Sequence, residues 1–366
     1  MNLAPLDIAG RIPRLRAKFD NAGIEALLVT RLPNVRYLTG FTGSAAMLLV
    51  TGTDALLVTD GRYREQSREQ LASSGAPVRV DIGLNQSLQR KALSDFVSDV
   101  TQLGLEAHGV TWAQERDFSS EWFVDAVLHA TIDLVEDQRE VKDQGEVDRI
   151  RAACAIADAA LAEVLPLLRE RPTEREFALR LEFAMRERGA EAMSFEPIVA
   201  SGPNGAKPHA RPSDRPIEPG ELVVIDFGCI VEGYCSDMTR TVSVGEPSPE
   251  RRHMWETVFE AQEAGRCKVA PGVELAAVDN AAREVIVAAG WGDAFAHGTG
   301  HGVGLEIHEA PRVAATASGT LAVGHVVTVE PGVYIPGVGG VRIEDTLVVT
   351  PEGFVTLTEF PKDLCA

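Results

Sequence analysis

The feature of this 366-residue sequence that most restricts its fold is an order of elements that occurs twice in its second part. Apolar periodicity predicts two helices followed by three strands, and then two helices followed by three extended segments. The helices are predicted at 145–169, 173–189, 249–268 and 274–289, and the extended segments at 196–201, 222–229, 234–244, 297–308, 326–330 and 341–350. Two halves of this kind can face each other across a cleft.

The first part of the chain alternates strand and helix patterns, which predicts an α/β domain. Short apolar runs predict strands at 25–30, 45–51 and 55–60, and amphipathic patterns predict helices at 9–22, 62–72, 87–100 and 115–128. No Gly-x-Gly-x-x-Gly follows the first strand, so a dinucleotide site lacks its phosphate-binding turn. The polar segment 137–144 indicates a boundary, and we therefore predict domains at 1–136 and 137–366.

Charge and cysteine content exclude several classes of partner. The chain has 35 Lys and Arg against 54 Asp and Glu, a net charge of −19, which disfavours nucleic acid and anionic membranes. The 5 cysteines form no Cys-x-x-Cys pair, and their odd number is typical of reduced thiols. The N-terminus has no apolar h-region, so we expect no signal peptide, and no stretch reaches about 18 uninterrupted apolar residues, so we expect no transmembrane helix. These observations predict a cytoplasmic protein.

Two acidic side chains are predicted on one face of a hairpin at residues 222–244. A turn at Glu232 and Gly233 would place Asp226 opposite Thr239, with Asp237 two positions further along the same face. Neighbouring carboxylates repel each other and raise each other's pKa, so a cation is expected between them. Two solvent-facing aspartates on a polar sheet face are the alternative.

A second pair of carboxylates lies in the segment 326–349. Glu330 ends one apolar run, and Glu344 lies inside another, beyond a turn rich in glycine. A carboxylate among apolar strand residues is unfavourable unless it is paired or bound to a metal. The alternative is a surface pair between Glu344 and Arg342, which would contribute about 0–1 kcal/mol.

Three of the 8 histidines, His297, His301 and His308, lie within the string HGTGHGVGLEIHEAP. The alternating glycines argue against a helix, and no His-Glu-x-x-His is present, so a helical zinc-protease site is excluded. Four carboxylates and one imidazole suit two divalent ions, and this oxygen-rich set favours manganese over zinc held by thiolates. Two such ions activate water and polarise a carbonyl, which predicts metal-assisted hydrolysis.

In this order, the strings IDFG, SDMTRT, HGTGHGVGLEIHEAP, TVEPGVY and VRIEDT resemble the metal motifs of the pita-bread metallopeptidases. The strings NVRYLTGFTGS (34–44) and TDGRY (59–63) are similar to the N-terminal domain of Xaa-Pro aminopeptidases and prolidases. This resemblance implies a creatinase-like α/β N-terminal domain. It also implies an α+β pita-bread catalytic domain with an internal pseudo-two-fold repeat.

The resemblance also implies roles for individual residues. The metal ligands would be Asp226, Asp237, His301, Glu330 and Glu344. Glu330 would also shuttle a proton, His209 would line the substrate pocket, and His297 and His308 would act on substrate or the tetrahedral intermediate. Tyr334 and Arg342 would support the site.

The implied activity is hydrolysis of the bond between an N-terminal residue and proline, in Xaa-Pro dipeptides or Xaa-Pro-Yaa peptides. The implied cofactors are two divalent ions per subunit, Mn²⁺ in the first place with Co²⁺ or Zn²⁺ as alternatives, and the implied assembly is a homodimer. The alternatives are a creatinase-like amidinohydrolase, a non-proline aminopeptidase, and an interaction module that keeps the fold without catalysis.

Overall fold

The computed structural model describes residues 3–365, which form two compact units. One unit comprises residues 5–139, and the other comprises mainly residues 140–365. The division falls inside the polar segment 137–144, while the domain limits at 136 and 137 stay a prediction. No helix within residues 3–365 is both long and apolar enough to cross a membrane.

The smaller unit is built on a six-stranded sheet with the strand order β4-β3-β2-β1-β5-β6. Its strands are β1 (Ala26–Val29), β2 (Ala46–Thr51), β3 (Ala55–Thr59), β4 (Arg79–Ile82), β5 (Gln102–Glu106) and β6 (Val127–Thr131). Its helices are α1 (Ile8–Arg16), α2 (Phe19–Ala22), α3 (Leu32–Thr39), α4 (Arg64–Ser74), α5 (Gln86–Phe96) and α6 (Trp112–Asp117), and α7 (Glu136–Glu140) lies at the division. The central strand β1 is parallel to β5 and antiparallel to β2, so the unit has a mixed α/β sheet.

Two helix predictions in this unit are wrong in detail. The predicted helix 9–22 is two helices, and residues 115–128 are not one helix. The helix there starts earlier because Thr111 forms a capping box with Gln114, and it ends in a π-helical turn at Phe118–Trp122. The side chains of Phe118 and Trp122 enter the core, and the apolar residues from Val127 onward pair with β5 as an edge strand.

The larger unit repeats the predicted order of two helices and several strands. The first half contains α8 (Gln144–Val164), α9 (Glu174–Glu187), β7 (Ala192–Met193), β8 (Ile198–Ser201), β9 (Leu222–Phe227), β10 (Cys229–Val231), β11 (Tyr234–Cys235) and β12 (Met238–Ser243). The second half contains α10 (Pro249–Lys268), α11 (Leu275–Ala288), β13 (Gly300–Gly302), β14 (Glu309–Val313), β15 (Val326–Val329), β16 (Gly332–Ile335), β17 (Gly339–Arg342), β18 (Asp345–Thr350) and β19 (Gly353–Thr356). Capping boxes begin α8 at Asp143 and α9 at Thr173, and Pro249 begins α10.

The two halves place antiparallel strand pairs in equivalent positions. In the first half β9 lies between β8 and β12, and in the second half β15 lies between β13 and β18. The apolar faces of α8 and α9 pack on the first of these sheets, and valines of β15 and β18 form a core with α11 in the second. Each central strand is therefore buried, and side chains at its end enter the interior of the unit.

His325 gives this unit a pH-dependent stability that the sequence does not reveal. Burial, together with the charge of Lys142, lowers the pKa of His325 to about 4, and its Nδ1 accepts a hydrogen bond from the N–H of Ala322. The unfolded chain binds the proton near pH 6.5 and the folded chain only near pH 4. The stabilising contribution is therefore complete above pH 6.5 and is lost as the pH falls toward 4.

We expect acidification from pH 7 to 4.5 to reduce the free energy of unfolding through His325 by about 2 kcal/mol, after allowance for solvent screening. His325→Gln should remove this part of the loss, because glutamine does not titrate. Urea denaturation at the two pH values measures the difference. His253→Gln, at an exposed site, is the control, and equal losses in the wild type and in His325→Gln would contradict the assignment.

Candidate metal centre

The first carboxylate pair is held by the hairpin that the sequence predicts. Glu232 and Gly233 have φ values of 44° and 82° and join β10 to β11 as a two-residue turn. Positive φ at both positions is the geometry of a type I′ turn, which matches the twist of the flanking strands. Asp226 on β9 lies opposite Thr239 on β12, as predicted, and Asp237 immediately precedes β12.

The second pair occupies the equivalent place in the other half. β15 ends at Val329, which is paired with Asp345 at the start of β18. Glu330 therefore directly follows β15, and Glu344 directly precedes β18, so both carboxylates leave the sheet at the same end. Glu344 is 1% exposed and Arg342 is 4% exposed, which excludes the alternative of a surface ion pair between them.

These side chains converge on one point. Oxygen atoms of Asp226, Asp237 and Glu344 all lie within 4.8 Å of one another. The Nε2 atom of His301 lies 3.5 Å from Asp237 Oδ2 and 3.3 Å from Glu330 Oε1. Residues on or next to five strands, spread over more than 100 positions in sequence, thus surround one small volume.

The residues present fit divalent cations. Among residues 3–365, no hydrogen-bond donor reaches Oδ1 of Asp226 or Oε1 of Glu344, although both atoms are buried. Buried carboxylate oxygens normally have a partner, and leaving one without any costs about 1–3 kcal/mol or more. Both residues belong to the group of carboxylates that lie within 4.8 Å of one another. A metal ion would give both of them a ligand bond.

A backbone bond fixes the orientation of His301. Its Nδ1 lies 2.9 Å from the carbonyl oxygen of Gly302, which only accepts, so Nδ1 carries the proton and donates. Without a metal ion, the raised pKa of His301 favours a protonated ring whose Nε2–H points to the carboxylates of Asp237 and Glu330. In the neutral ring the lone pair is on Nε2, where it can bind a metal ion. Donation from the second ring nitrogen to a carbonyl is the usual support of a metal-bound histidine.

The pKa shifts in the cluster are those expected of buried carboxylates that lack a neutralising cation. Burial, and then the charges of neighbouring carboxylates, raise the pKa of Asp237 and that of Glu344 well above their usual values. Burial also raises the pKa of Asp226. Burial opposes ionisation of Glu330, but the contact with His301 and the electrostatic interactions with His301, Arg342 and His297 together outweigh burial and lower its pKa to about 2. At His301 burial opposes protonation, but the contact with Glu330, the bond to Gly302 and the charges of Glu330 and Asp226 together outweigh burial and raise the pKa of the imidazole.

A chain of hydrogen bonds supports the cluster from behind. Arg342 donates to Oδ2 of Asp226 and, at 2.7 Å, to the hydroxyl of Tyr334. That hydroxyl lies 3.0 Å from Nε2 of His297, whose Nδ1 lies 2.8 Å from the carbonyl oxygen of Gly298. Because burial lowers the pKa of His297, its ring is neutral, donates through Nδ1 and accepts from Tyr334 through Nε2. Both nitrogens are engaged, and this favours an orienting role.

The predicted metal ligands and histidines border a single cavity of about 660 Å³. Its lining includes all of the predicted ligands and predicted histidines together with Arg342: Asp226, Asp237, His301, Glu330, Glu344, His209, His297 and His308. Tyr334 is 8% exposed and reaches this lining through Arg342 and His297. The His308 ring stands edge-on to that of His301, with 4.4 Å between the ring centres.

Two threonines of the site are missed by the sequence analysis. Thr239 donates to Oε2 of Glu344 at 2.7 Å, and Thr328 donates to Oε1 of Glu330 at 3.1 Å. Thr328 also accepts from the backbone N–H of His301 at 3.1 Å. The signal is their strand parity, because Thr239 opposes Asp226 and Thr328 lies two positions before Glu330.

Profiles of known protein families match both units of the chain. The Metallopeptidase family M24 profile matches residues 148–351, and the Creatinase/Prolidase N-terminal domain profile matches residues 11–141. An uncharacterized peptidase of Bacillus subtilis is 40% identical over 354 residues, which span 97% of this chain and 99% of that protein.

Solved structures with the same fold carry two kinds of name. An Xaa-Pro dipeptidase from Bacillus anthracis superposes with a TM-score of 0.92 at 40% identity and covers 98% of this chain and 99% of its own. An X-Pro aminopeptidase from Thermotoga maritima superposes with a TM-score of 0.86 at 37% identity, covering 95% of this chain and 99% of its own. The likeness thus extends over both units.

Proposed function

The chain belongs to metallopeptidase family M24, with a creatinase-type N-terminal domain and a pita-bread catalytic domain, and from this premise we propose that it hydrolyses Xaa-Pro bonds. The substrates proposed are Xaa-Pro dipeptides and short Xaa-Pro-Yaa peptides, cut between the N-terminal residue and proline. Relatives named as dipeptidases and as an aminopeptidase support this substrate class.

The observation that carries the proposal is the set of donors at the cavity. Asp226, Asp237, His301, Glu330 and Glu344 offer four carboxylates and one imidazole, and two of their buried oxygens have no hydrogen-bond donor within residues 3–365. We propose that these five residues hold two divalent ions. Such ions would supply a nucleophilic oxygen at neutral pH and polarise the scissile carbonyl.

Side chains around the cavity would carry out the remaining steps of the hydrolysis. Glu330 is bonded to Thr328 and faces His301, so its carboxylate is held in one orientation from which it can take up and release a proton. We assign to Glu330 the transfer of a proton to the leaving nitrogen. His209 and His308 line the cavity and are exposed, and we propose that they donate to the carbonyl oxygen of the substrate. His297 orients Tyr334.

This arrangement suits a proline substrate for a physical reason. The Xaa-Pro bond is a tertiary amide without an N–H, so an enzyme that holds its substrate through that hydrogen loses a contact. A site that grips the carbonyl oxygen and the free amino group does not need it. A cavity of about 660 Å³ accommodates a dipeptide or a slightly longer peptide.

The comparison of substrates tests the proposal. Metal-stripped protein should cleave Xaa-Pro and Xaa-Pro-Yaa only after a divalent ion is added, and should cleave matched Xaa-Ala peptides at least ~10-fold more slowly. Equal cleavage of the Xaa-Ala controls would refute the specificity for proline and leave the non-proline aminopeptidase. Hydrolysis of creatine in place of peptides would establish the amidinohydrolase. The ratio of the Xaa-Pro rate to the Xaa-Pro-Yaa rate distinguishes dipeptidase from aminopeptidase.

The proposal also covers the identity of the metal ion, the assembly and the location of the protein. We propose Mn²⁺ as the preferred ion, with Co²⁺ or Zn²⁺ as substitutes, because oxygen donors predominate in the set. We propose a homodimer on the ground of family resemblance. We propose a cytoplasmic location, which is supported by the five cysteines, all of them free thiols in the structure. The net charge of −19 supports the absence of nucleic-acid and membrane partners.

Removing the hydroxyl of Tyr334 should weaken catalysis without emptying the site. Tyr334→Phe keeps the ring against His297 but removes the group that joins it to Arg342. Support groups of this kind typically contribute 10–100-fold, and we expect kcat to fall by ~10-fold with metal content unchanged. Steady-state kinetics and metal analysis measure both. The matched control is Tyr63→Phe in the smaller unit, and an unchanged kcat in Tyr334→Phe would disprove the role.

A further inference from the structure

One buried carboxylate outside the metal-binding set is bonded to both ends of the loop that carries His209. The loop comprises residues 202–212 and is called the His209 loop. Glu174 is the first residue of α9, and it is 0% exposed. A fully buried carboxylate is stable only when its oxygens are hydrogen-bonded, so its partners show what it holds in place.

Each carboxylate oxygen of Glu174 holds one end of the loop. Oε1 accepts from the backbone N–H of Ser201 at 2.7 Å and from the Ser201 hydroxyl at 2.8 Å. Oε2 accepts from the backbone N–H of Ser213 at 3.1 Å and from the Ser213 hydroxyl at 2.6 Å. The side-chain amide of Asn204 donates to both oxygens, at 3.2 Å and 3.0 Å. The carboxylate therefore closes the loop at its base.

The start of α9 strengthens the same closure. The backbone N–H groups of Glu174 and Arg175 donate to the carbonyl oxygens of Arg215 and Ser213, each at 3.0 Å. Arg215 in turn donates to the Ser201 hydroxyl at 2.7 Å. The base of the loop is thus fixed to a helix end by backbone and side-chain bonds together.

The opposite side of the loop rests on β17, next to the metal-binding residues. An ideal Cβ on Gly340 would lie 2.0 Å from the carbonyl oxygen of Gly205, so the two backbones are in direct contact. Arg342, which binds Asp226, also donates to the carbonyl oxygen of Pro208 at 3.3 Å. The residue before His209 is therefore bonded to the support of the cluster, and His209 itself borders the cavity.

We propose that Glu174 is a positioning residue for the reaction, because it holds the His209 loop against β17 and so sets the place of the His209 imidazole at the cavity. The proposal rests on the proposed Xaa-Pro hydrolysis for its kinetic consequence, while the loop closure itself does not depend on it. Glu174 acts through His209 and touches neither substrate nor metal ion.

Glu174→Gln is the test, and Glu176→Gln is its matched control. In Glu174→Gln, either orientation of the amide turns its NH₂ group toward a backbone N–H, that of Ser201 or that of Ser213. Glu176 lies in the same helical turn, and within residues 3–365 its carboxylate accepts only from the N–H and hydroxyl of Thr173 in the capping box. Glu176→Gln removes the same negative charge from the same end of the helix, but it breaks no hydrogen bond to the His209 loop.

We expect Glu174→Gln to lower kcat/KM for an Xaa-Pro dipeptide by ~100-fold, while Glu176→Gln stays within ~2-fold of the wild type. Metal content should equal that of the wild type in both variants, because the predicted ligands lie outside the loop. In a His209→Ala background, Glu174→Gln should add less than ~3-fold, because the two substitutions remove the same function. Losses that multiply in the double variant, or equal losses in the two glutamine variants, would overturn the proposal.

Hydrogen exchange of residues 202–212 gives a second measurement that needs no activity. Glu174→Gln should exchange faster than the wild type in this segment, and Glu176→Gln should not. Unchanged exchange in Glu174→Gln would overturn the positioning role. If the wild type cleaves no Xaa-Pro substrate, the proposed function fails, yet faster exchange in Glu174→Gln alone still establishes the loop closure.

Discussion

Asp237→Asn is expected to abolish peptide hydrolysis while leaving the protein folded. An amide in place of this carboxylate removes one negative charge from a group that we assign to metal binding, and two bound ions contribute several kcal/mol to the transition state. A loss of about 4 kcal/mol corresponds to a fall in kcat/KM of ~1,000-fold or more. Metal analysis should show fewer than two ions per chain.

A comparison of metal-free proteins distinguishes the loss of a metal ligand from simple unfolding as the cause of inactivity. Burial, followed by the charges of Glu344 and Asp226, raises the pKa of Asp237 well above its usual value, so the carboxylate is unfavourable in the metal-free fold. Metal-stripped Asp237→Asn should therefore unfold no earlier on heating than metal-stripped wild type. Asp95→Asn, at an exposed site of the smaller unit, should behave as the wild type in every assay. Retained turnover in Asp237→Asn would contradict the ligand assignment.

Gly300→Ala is expected to destabilise the fold and to displace one of the predicted metal ligands. An ideal Cβ at Gly300 would lie 2.0 Å from the carbonyl oxygen of Thr328 and 2.7 Å from its carbonyl carbon. Both atoms are backbone, so β13 must move away from β15, and His301 must move with it. Overpacking of this kind costs about 3 kcal/mol.

Urea denaturation and metal analysis of Gly300→Ala measure the two consequences, and we expect lower stability together with weaker metal retention. Gly52→Ala is the control, because an ideal Cβ at that position meets no atom of the described chain within 4 Å. That substitution should change the free energy of unfolding by less than about 1 kcal/mol. Equal stabilities of Gly300→Ala and Gly52→Ala would show that β13 tolerates displacement.

Local rules were sufficient to predict the parts of the site that lie on neighbouring strands. A two-residue turn at Glu232 and Gly233 fixes the register, and the alternation of side chains then places Asp226 and Asp237 on one face. The paired helices of each half were predictable because their apolar periodicity and capping residues agree. The end of helix α6 was not, since aromatic side chains packed into the core outweigh local helical periodicity there.

Two further sets of contacts between distant parts of the chain could not be predicted from local sequence patterns. In the sequence, Glu174 has the pattern of an ordinary acidic residue in the first turn of a helix. No neighbouring residue indicates that it accepts hydrogen bonds from Ser201 and Ser213. The chain from Arg342 through Tyr334 to His297 likewise forms only when the end of β17 meets the segment before β13. Such partners are decided by tertiary packing, which leaves no periodic signal.

The central claim is that Asp226, Asp237, His301, Glu330 and Glu344 together hold two divalent ions. An anomalous diffraction experiment on crystals of the protein loaded with Mn²⁺ tests it most directly. We predict two anomalous peaks, separated by about 3.5–4 Å, each within ligand distance of oxygen atoms from this set and at least one within ligand distance of His301 Nε2. An anomalous map with no peak among these five side chains would contradict the claim.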